Sequence, residues 1–248
     1  MKKITTLENY LAANEFLRET AEFHFRPEKN FAELSPLEMP PREKVLNLIR
    51  ATKIPMLQHN AFRVMVLDST EELLRTMPRE LQEDLLRQKN SSVHKLCEDL
   101  ELSETLARTI FWATIDRLIP AELKHWERED WHENFCPICG RRPVMAWLKR
   151  FNEGRARYLL CGGCGTQWHW QRVGCPYCGN MNLEKIYTLE VDDKQKIRLN
   201  VCKECGCYIK TYCEDGEEDI YLRDWTTLHL DLLAEERGLH KCGAVELE

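Results

Sequence analysis

The chain has 248 residues, of which 43% are hydrophobic and 31% charged, and its formal net charge is −6 at pH 7. No apolar run approaches the roughly 18–20 residues that a membrane-spanning helix needs. The N-terminal stretch MKKITTLENY turns polar after two lysines, which is not the pattern of a secretory signal. These features exclude the fibrous and membrane-spanning classes, and we expect a cytoplasmic protein.

The first 130 residues have the pattern of a helical bundle. Apolar residues recur at helical spacing between Leu102 and Leu118, and prolines separate the other segments. Three pairs have capping-box spacing: Thr5 with Glu8, Ser35 with Glu38, and Ser69 with Glu72. The pattern predicts five or six helices in an α-helical domain over residues 1–130, with Cys97 as a small buried hydrophobic residue.

The composition changes at Phe135, where the chain becomes rich in glycine and cysteine and contains short β-type runs at 157–160 and 197–201. Eight of the twelve cysteines form four C-x-x-C pairs: Cys136/Cys139, Cys161/Cys164, Cys175/Cys178 and Cys202/Cys205. This spacing suits two thiolates on one metal ion better than a disulfide network. We therefore expect metal sites and a reducing compartment.

An internal repeat predicts how the four pairs combine. The stretch FCPICG at 135–140 is similar to GCPYCG at 174–179, and CGGCG at 161–165 is similar to CKECG at 202–206. Each repeat thus has two knuckles with a hairpin between them, as in a zinc ribbon. The glycine that closes each knuckle can take the left-handed conformation that a sharp turn requires.

The repeat favours sequential pairing, in which the first and second C-x-x-C pairs share one metal ion and the third and fourth share another. The alternative, in which the two neighbouring pairs 161/164 and 175/178 share an ion, would break the repeat. A four-thiolate site accepts zinc or iron, and the sequence does not choose between them. Because cysteine fills every ligand position, no place remains for a catalytic water, and a structural role is favoured.

Five further features lie between or after the knuckles. Cys207 and Cys213 are expected to be strand residues, with a spare metal ligand or a redox thiol as the alternatives. Cys242 with His240 is expected to lie in a flexible end, with adventitious metal binding as the alternative. The acidic run 214–219 is expected to be a solvated loop. Asp224 is predicted to cap a last helix that presents Trp225, Leu228 and Leu232 on one face. Trp168 and Trp170 alternate with His169, so the two indoles should share one side of a strand, as an inter-ribbon face or a peptide-binding surface.

No motif of a nucleotide-binding, hydrolase or metalloprotease site is present, and nothing indicates an enzyme. Residues 136–213 carry 13 Lys and Arg against 6 Asp and Glu. A nucleic-acid-binding zinc-ribbon protein is therefore one alternative, although each four-thiolate zinc centre would add two negative charges. A redox protein that uses ribbon iron or free thiols is the other.

The C-terminal half resembles the formate dehydrogenase accessory protein FdhE family. The resemblance rests on FCPICGRRPV, RYLLCGGCGTQWHWQRVGCPYCG, VCKECGCYIKTY and RDWTTLHLDLLAEERG. Gln167 stands where members often have glutamate, and members tend to be longer. The resemblance implies a non-enzymatic cytoplasmic factor that binds the catalytic subunit of formate dehydrogenase, with iron or zinc bound by the eight knuckle cysteines.

The predicted fold is α+β. An N-terminal all-α helical bundle (1–130) is followed by two tandem rubredoxin-like (zinc-ribbon) β units at 131–172 and 173–213, and by an acidic loop with a C-terminal helix (214–248). Two metal ions in four-cysteine sites, zinc or iron, are expected. A partner is expected in the groove between bundle and ribbons, against five residues: Trp168, Trp170, Arg155, Arg157 and Arg172.

Overall fold

A computed structural model describes residues 8–12, 14–15, 18, 36–65, 115–127, 130–192, 196–213 and 220–243. Several predicted features lie outside these ranges: the first residue of each capping pair, Cys97, the acidic run 214–219 and most of the helix predicted from Leu102. The N-terminal helical bundle therefore stays a prediction.

The described helices include α1 (Arg42–Thr52), α2 (Ile220–Trp225) and α3 (Leu228–Glu235). Short 3-10 turns lie at Met56–Gln58, Ala121–Leu123 and Leu183–Lys185, and residues 8–12, 60–65 and 115–118 are also helical. Helix α1 follows Pro41 and ends at Lys53, which has the left-handed conformation common at helix ends. None of the described helices combines the length and the apolar character needed to cross a bilayer.

Seven strands in the described part of the chain form one sheet. They are β1 (His125–Trp126), β2 (Pro143–Phe151), β3 (Gly154–Cys161), β4 (Gln167–Trp170), β5 (Ile186–Asp192), β6 (Ile197–Cys202) and β7 (Tyr208–Tyr212), in the spatial order β1-β4-β3-β2-β7-β6-β5. Together with the helices, this sheet makes the chain α+β.

The internal repeat of the sequence corresponds to a repeated set of strands. Strands β2, β3 and β4 pair antiparallel in order, and β5, β6 and β7 do the same. The two sets join through parallel pairing of β2 with β7, where Met145, Ala146 and Trp147 lie opposite Lys210, Thr211 and Tyr212. This pairing crosses the predicted boundary at residue 172, and the division into two ribbon domains stays a prediction.

Both faces of the sheet are covered by other parts of the chain. Ala146, Leu159 and Trp168 lie in one hydrophobic cluster, which also contains residues of α1 and of the turn at Met56–Gln58. The alternate residues Met145 and Leu160 lie in a second cluster. Because neighbouring residues of a strand point to opposite faces, the two clusters lie on opposite sides of the sheet.

The C-terminal helical segment differs from its prediction. Asp224 lies inside α2 rather than capping the last helix, and a break at Thr226 and Thr227 separates α2 from α3. Leu228 and Leu232 are exposed, so the predicted shared apolar face is wrong. The buried residues of α3 are instead Leu230 and Ala234, which pack in the second cluster. The break occurs where Thr227 Oγ1 donates to the carbonyl of Arg223 (2.7 Å), which competes with a continuous helix.

Candidate metal centres

The first candidate metal centre is a group of four thiols: Cys136, Cys139, Cys161 and Cys164. The sulfur of Cys136 lies 3.5 Å from that of Cys164, and the sulfur of Cys139 lies 3.4 Å from that of Cys161. Four thiolates about 2.3 Å from a tetrahedral zinc ion would be about 3.8 Å apart. The sulfurs are thus already close to the arrangement that a tetrahedral ion requires.

The second candidate metal centre consists of Cys175, Cys178, Cys202 and Cys205. Its sulfur–sulfur distances are 3.6 Å between Cys175 and Cys205 and 3.7 Å between Cys178 and Cys202. Cys178 is exposed, whereas the first centre has no exposed cysteine. The sequential pairing predicted from the repeat is the pairing present in the structure, and the alternative of two neighbouring pairs sharing a site does not occur.

The knuckles share a hydrogen-bond pattern that explains their glycines. In three of them the glycine amide donates to the carbonyl of the first cysteine at 2.9 Å: Gly140 to Cys136, Gly179 to Cys175 and Gly206 to Cys202. All four knuckle glycines have positive φ: 81° at Gly140, 67° at Gly165, 74° at Gly179 and 71° at Gly206. These values lie in the region that L-residues avoid, as the sequence pattern predicted.

Each centre contains one thiol that ionises more readily than a free cysteine. Burial raises the pKa of Cys161, but hydrogen bonds from the other three thiols and the Gly163 amide lower it by more, so the net pKa is depressed. At Cys202 burial also raises the pKa, yet the Asn180 amide and two backbone amides bring it to about 7. One thiolate per centre is thereby available as a first metal ligand near neutral pH.

Three other thiols ionise less readily than a free cysteine. Burial raises the pKa of Cys136, Cys139 and Cys175. Binding a cation therefore releases protons from each group, and low pH opposes binding. With four sulfur ligands, a tetrahedral ion has no open position for water or substrate. The donor set fits zinc or iron and a structural role.

The first centre also holds part of the N-terminal half against the sheet. The amides of Met56 and Leu57 donate to the carbonyls of Pro137 and Ile138, at 2.9 and 2.8 Å. These two carbonyls lie between the ligands Cys136 and Cys139. Loss of metal at this centre would therefore loosen the contact between the turn at Met56–Gln58 and the first knuckle.

The residues predicted to bind a partner are mostly interior. Trp168 is fully buried, and its indole donates to the carbonyl of Glu133 at 3.1 Å. Trp170 and Arg157 are 5% and 3% exposed. Arg155 is half-buried and Arg172 is exposed. Since Trp168 has no accessible surface, it serves the core rather than a contact surface in this structure, and Arg172 is the most accessible of the five.

A buried charge network lies beside the second repeat, and sequence reasoning missed it. Lys210, on β7, has a fully buried side chain whose Nζ donates to Asp231 Oδ2 (2.8 Å) and to the carbonyl of Asp224 (2.7 Å). Lys241 donates to both carboxylates, and the Tyr208 hydroxyl donates to Asp231 at 2.7 Å. The sequence did contain a signal for this network: Tyr208 and Lys210 alternate in a strand, and Asp224 and Asp231 are seven residues apart.

Two cysteines outside the knuckles form a disulfide that the sequence analysis did not predict. Cys207 and Cys242 are bonded, with their Cα atoms 5.7 Å apart, and residue 207 forms a bridge to His240. The expectation of a flexible end at Cys242 is therefore wrong. The separation of 35 residues between them gave no sequence signal for this pairing.

Comparison with known proteins now places the chain. The model of the FdhE central domain matches residues 135–172, which contain the whole first centre. FdhE homologues from Pectobacterium carotovorum and Aquifex aeolicus are 28% and 32% identical over 178 and 124 residues, or 71% and 49% of this chain. These matches show that the chain is similar to FdhE proteins. The FdhE protein of Escherichia coli O127:H6 is 31% identical over 135 residues, 53% of this chain.

The extent of these matches is partial. They cover 57%, 44% and 42% of the three relatives, so the chain spans about half the length of the curated relatives it matches. The crystal structure of FdhE from Pseudomonas aeruginosa superposes with a TM-score of 0.59 over 91% of this chain and 86% of that one. At 19% identity, this likeness shows a common fold.

Proposed function

We propose that this chain is a member of the FdhE family and a non-enzymatic accessory factor for maturation of formate dehydrogenase, and that it binds the catalytic subunit of that enzyme in the cytoplasm. The observation that carries the proposal is the pair of closed four-thiol centres within a chain similar to FdhE proteins. Because the thiols leave no ligand position open, metal at these centres would stabilise a surface rather than catalyse a reaction.

The geometry supports a scaffold for recognition. The two centres lie at the ends of the hairpins β2–β3 and β5–β6, and one continuous sheet joins them. Metal bound at each would fix the positions of the knuckle loops. We further propose that each half is a rubredoxin-like ribbon, with boundaries at 131–172 and 173–213, and that the eight knuckle cysteines are the metal ligands.

Complementation tests the proposal. A strain that contains formate dehydrogenase but lacks its own FdhE should regain formate dehydrogenase activity when this chain is expressed. Cys136→Ser and Cys175→Ser, which each remove one ligand of one centre, should reduce the recovery, while Cys213→Ser, outside both centres, should not. Unchanged formate dehydrogenase activity with the intact chain, verified as soluble and metal-loaded, would reject the proposal.

A redox role is the second candidate, and the Cys207–Cys242 disulfide is the observation that favours it. Cys207 lies two residues after the ligand Cys205, so a change at this disulfide can alter the second centre. The discriminating measurement is metal content: stoichiometric zinc, which has no redox chemistry, would exclude electron transfer through the centres.

A further inference from the structure

Beside the second centre, the surface contains a cleft of about 460 Å³ whose lining is basic. Three arginines line it: Arg155, Arg157 and Arg172. Arg155 and Arg172 also line a second cavity of about 670 Å³, together with Arg150. The two cavities therefore share two arginines, one on β3 and one in the chain that follows β4.

Arg157 is the unusual member of this group. Its side chain is 3% exposed, and its Nη1 donates to the carbonyl of Gly174 at 3.0 Å. Its Nε and Nη2 have no hydrogen-bond partner. Within the described residues no carboxylate forms an ion pair with this guanidinium. A buried cation with two unused donors is costly, and such groups commonly mark a place where a ligand supplies the missing acceptors.

The unused donors have the geometry of a carboxylate receptor. Nε and Nη2 form one edge of the planar guanidinium, with two parallel N–H bonds that match the two oxygens of a carboxylate. The Trp170 ring lies 5.4 Å from the guanidinium carbon and holds its plane. Arginine, rather than lysine, is the residue that such planar two-point recognition requires.

Among the described residues, the one carboxylate in the lining of the smaller cleft is already engaged. Glu127 accepts from the Tyr158 hydroxyl at 2.7 Å and lies 2.7 Å from His125 Nε2. Burial raises the pKa of Glu127, but these two partners lower it by more, so its charge is held in place. The Glu127 carboxylate is thus engaged by Tyr158 and His125, and it does not neutralise the arginines of the cleft.

We propose that this cleft is a carboxylate-binding site in which the Nε/Nη2 edge of Arg157 receives the carboxylate and Arg172 closes over it. Both nitrogens are buried in the structure, so the carboxylate enters when an exposed wall residue, Arg172 or Gln171, turns outward. Two sources have this chemistry: an acidic side chain or C-terminus of a polypeptide, and a free small dicarboxylate. The proposal concerns the cleft itself and holds whichever protein is the partner.

The arginine Nε–Hε signals in an NMR spectrum of the metal-loaded full chain test the proposal. Arg157 is assigned by its loss in Arg157→Lys. Sodium succinate, a glutamate-rich peptide, inorganic phosphate and a short oligonucleotide are then added in turn. We expect the Arg157 signal to move saturably with succinate and with the peptide. A peptide that binds at least tenfold more tightly than succinate identifies a polypeptide source, and equal affinities identify a small dicarboxylate.

Variants separate binding from structure. Arg157→Lys, which keeps the charge but loses the two-point edge, should weaken carboxylate binding at least about tenfold. Arg172→Ala is the second variant; its exposed side chain donates to the carbonyl of Arg155 at 2.9 Å, so folding should survive. Arg198→Lys, which alters an exposed arginine paired with Glu190 on another strand, is the matched control and should bind like the unaltered chain.

Two results would overturn the proposal. One is an Arg157 signal whose chemical shift does not change with succinate or with the peptide, while Arg157→Lys loses metal from the second centre. Arg157 would then serve only that centre. The other is tighter binding of phosphate or the oligonucleotide than of either carboxylate, which would identify a phosphate site.

Discussion

Replacing Lys210 with methionine tests the buried charge network that attaches the C-terminal helices to the sheet. The substitution keeps most of the side-chain volume but removes a fully buried ammonium group from Asp224 and Asp231. Removing one partner of a buried ion pair costs about 3–5 kcal/mol because the remaining charge is uncompensated. Lys241 still contacts both carboxylates, so we expect the lower end, about 3 kcal/mol of unfolding free energy.

The assay is urea unfolding of metal-saturated protein followed by far-UV circular dichroism. Lys241→Met is the matched control: its side chain is 21% exposed and touches the same carboxylates, so the loss should be about 1 kcal/mol. Equal losses in the two variants, or no loss in Lys210→Met, would refute the reasoning that burial makes Lys210 the dominant partner.

The difference in unfolding free energy between Lys210→Met and the unaltered chain depends on pH with a definite sign. Burial raises the pKa of Asp224, but Lys210 and Lys241 lower it by more, so its pKa in the folded chain is depressed. A depressed carboxyl pKa gives stability that is complete above the unfolded pKa of about 3.9 and is lost as the pH falls through the folded pKa. The difference between Lys210→Met and the unaltered chain should therefore be constant from pH 8 to pH 6. A difference that halves within that range would show that another group titrates.

Three further predictions concern the knuckles and the disulfide. Cys136→Ser and Cys175→Ser should each lose about one metal equivalent of two, measured by inductively coupled plasma mass spectrometry, and loss of both ions from either variant would contradict two independent centres. Gly179→Ala should cost about 1–2 kcal/mol in urea unfolding through its positive φ alone, since nothing lies within 4 Å of the added methyl group, and an unchanged midpoint would be inconsistent with this reason. Cys242→Ser should lower the free energy of unfolding by about 2–4 kcal/mol without reductant and leave it unchanged with reductant. The metal content should not change. A difference in stability that persists in reductant would argue against loss of the disulfide as its cause.

The sequence predicted the local parts of the candidate sites well because the knuckle is a short, self-contained unit. Cys-x-x-Cys-Gly contains the ligands and the glycine whose left-handed conformation closes the turn, and the repeat favoured the correct pairing of knuckles. The hairpins β2–β3 and β5–β6 follow from alternating runs on either side of a turn, as at Asn152, whose φ is 50°.

Long-range contacts were beyond the sequence pattern. The parallel pairing of β2 with β7 joins residues more than sixty positions apart, and nothing in either strand specifies its neighbour. The Cys207–Cys242 disulfide and the Lys210 network were missed for the same reason, because both depend on where the C-terminal helices meet the sheet. Trp168 was placed correctly on its strand, but burial decided that it belongs to the core.

Binding to the formate dehydrogenase catalytic subunit tests the central claim most directly. Purified metal-loaded chain and catalytic subunit would be mixed and separated by size-exclusion chromatography, and the protein and metal content of each fraction measured. The proposal predicts a complex that contains both proteins, with two metal ions in four-cysteine centres for each copy of this chain. Separate elution of two folded proteins, with both centres loaded, would contradict it.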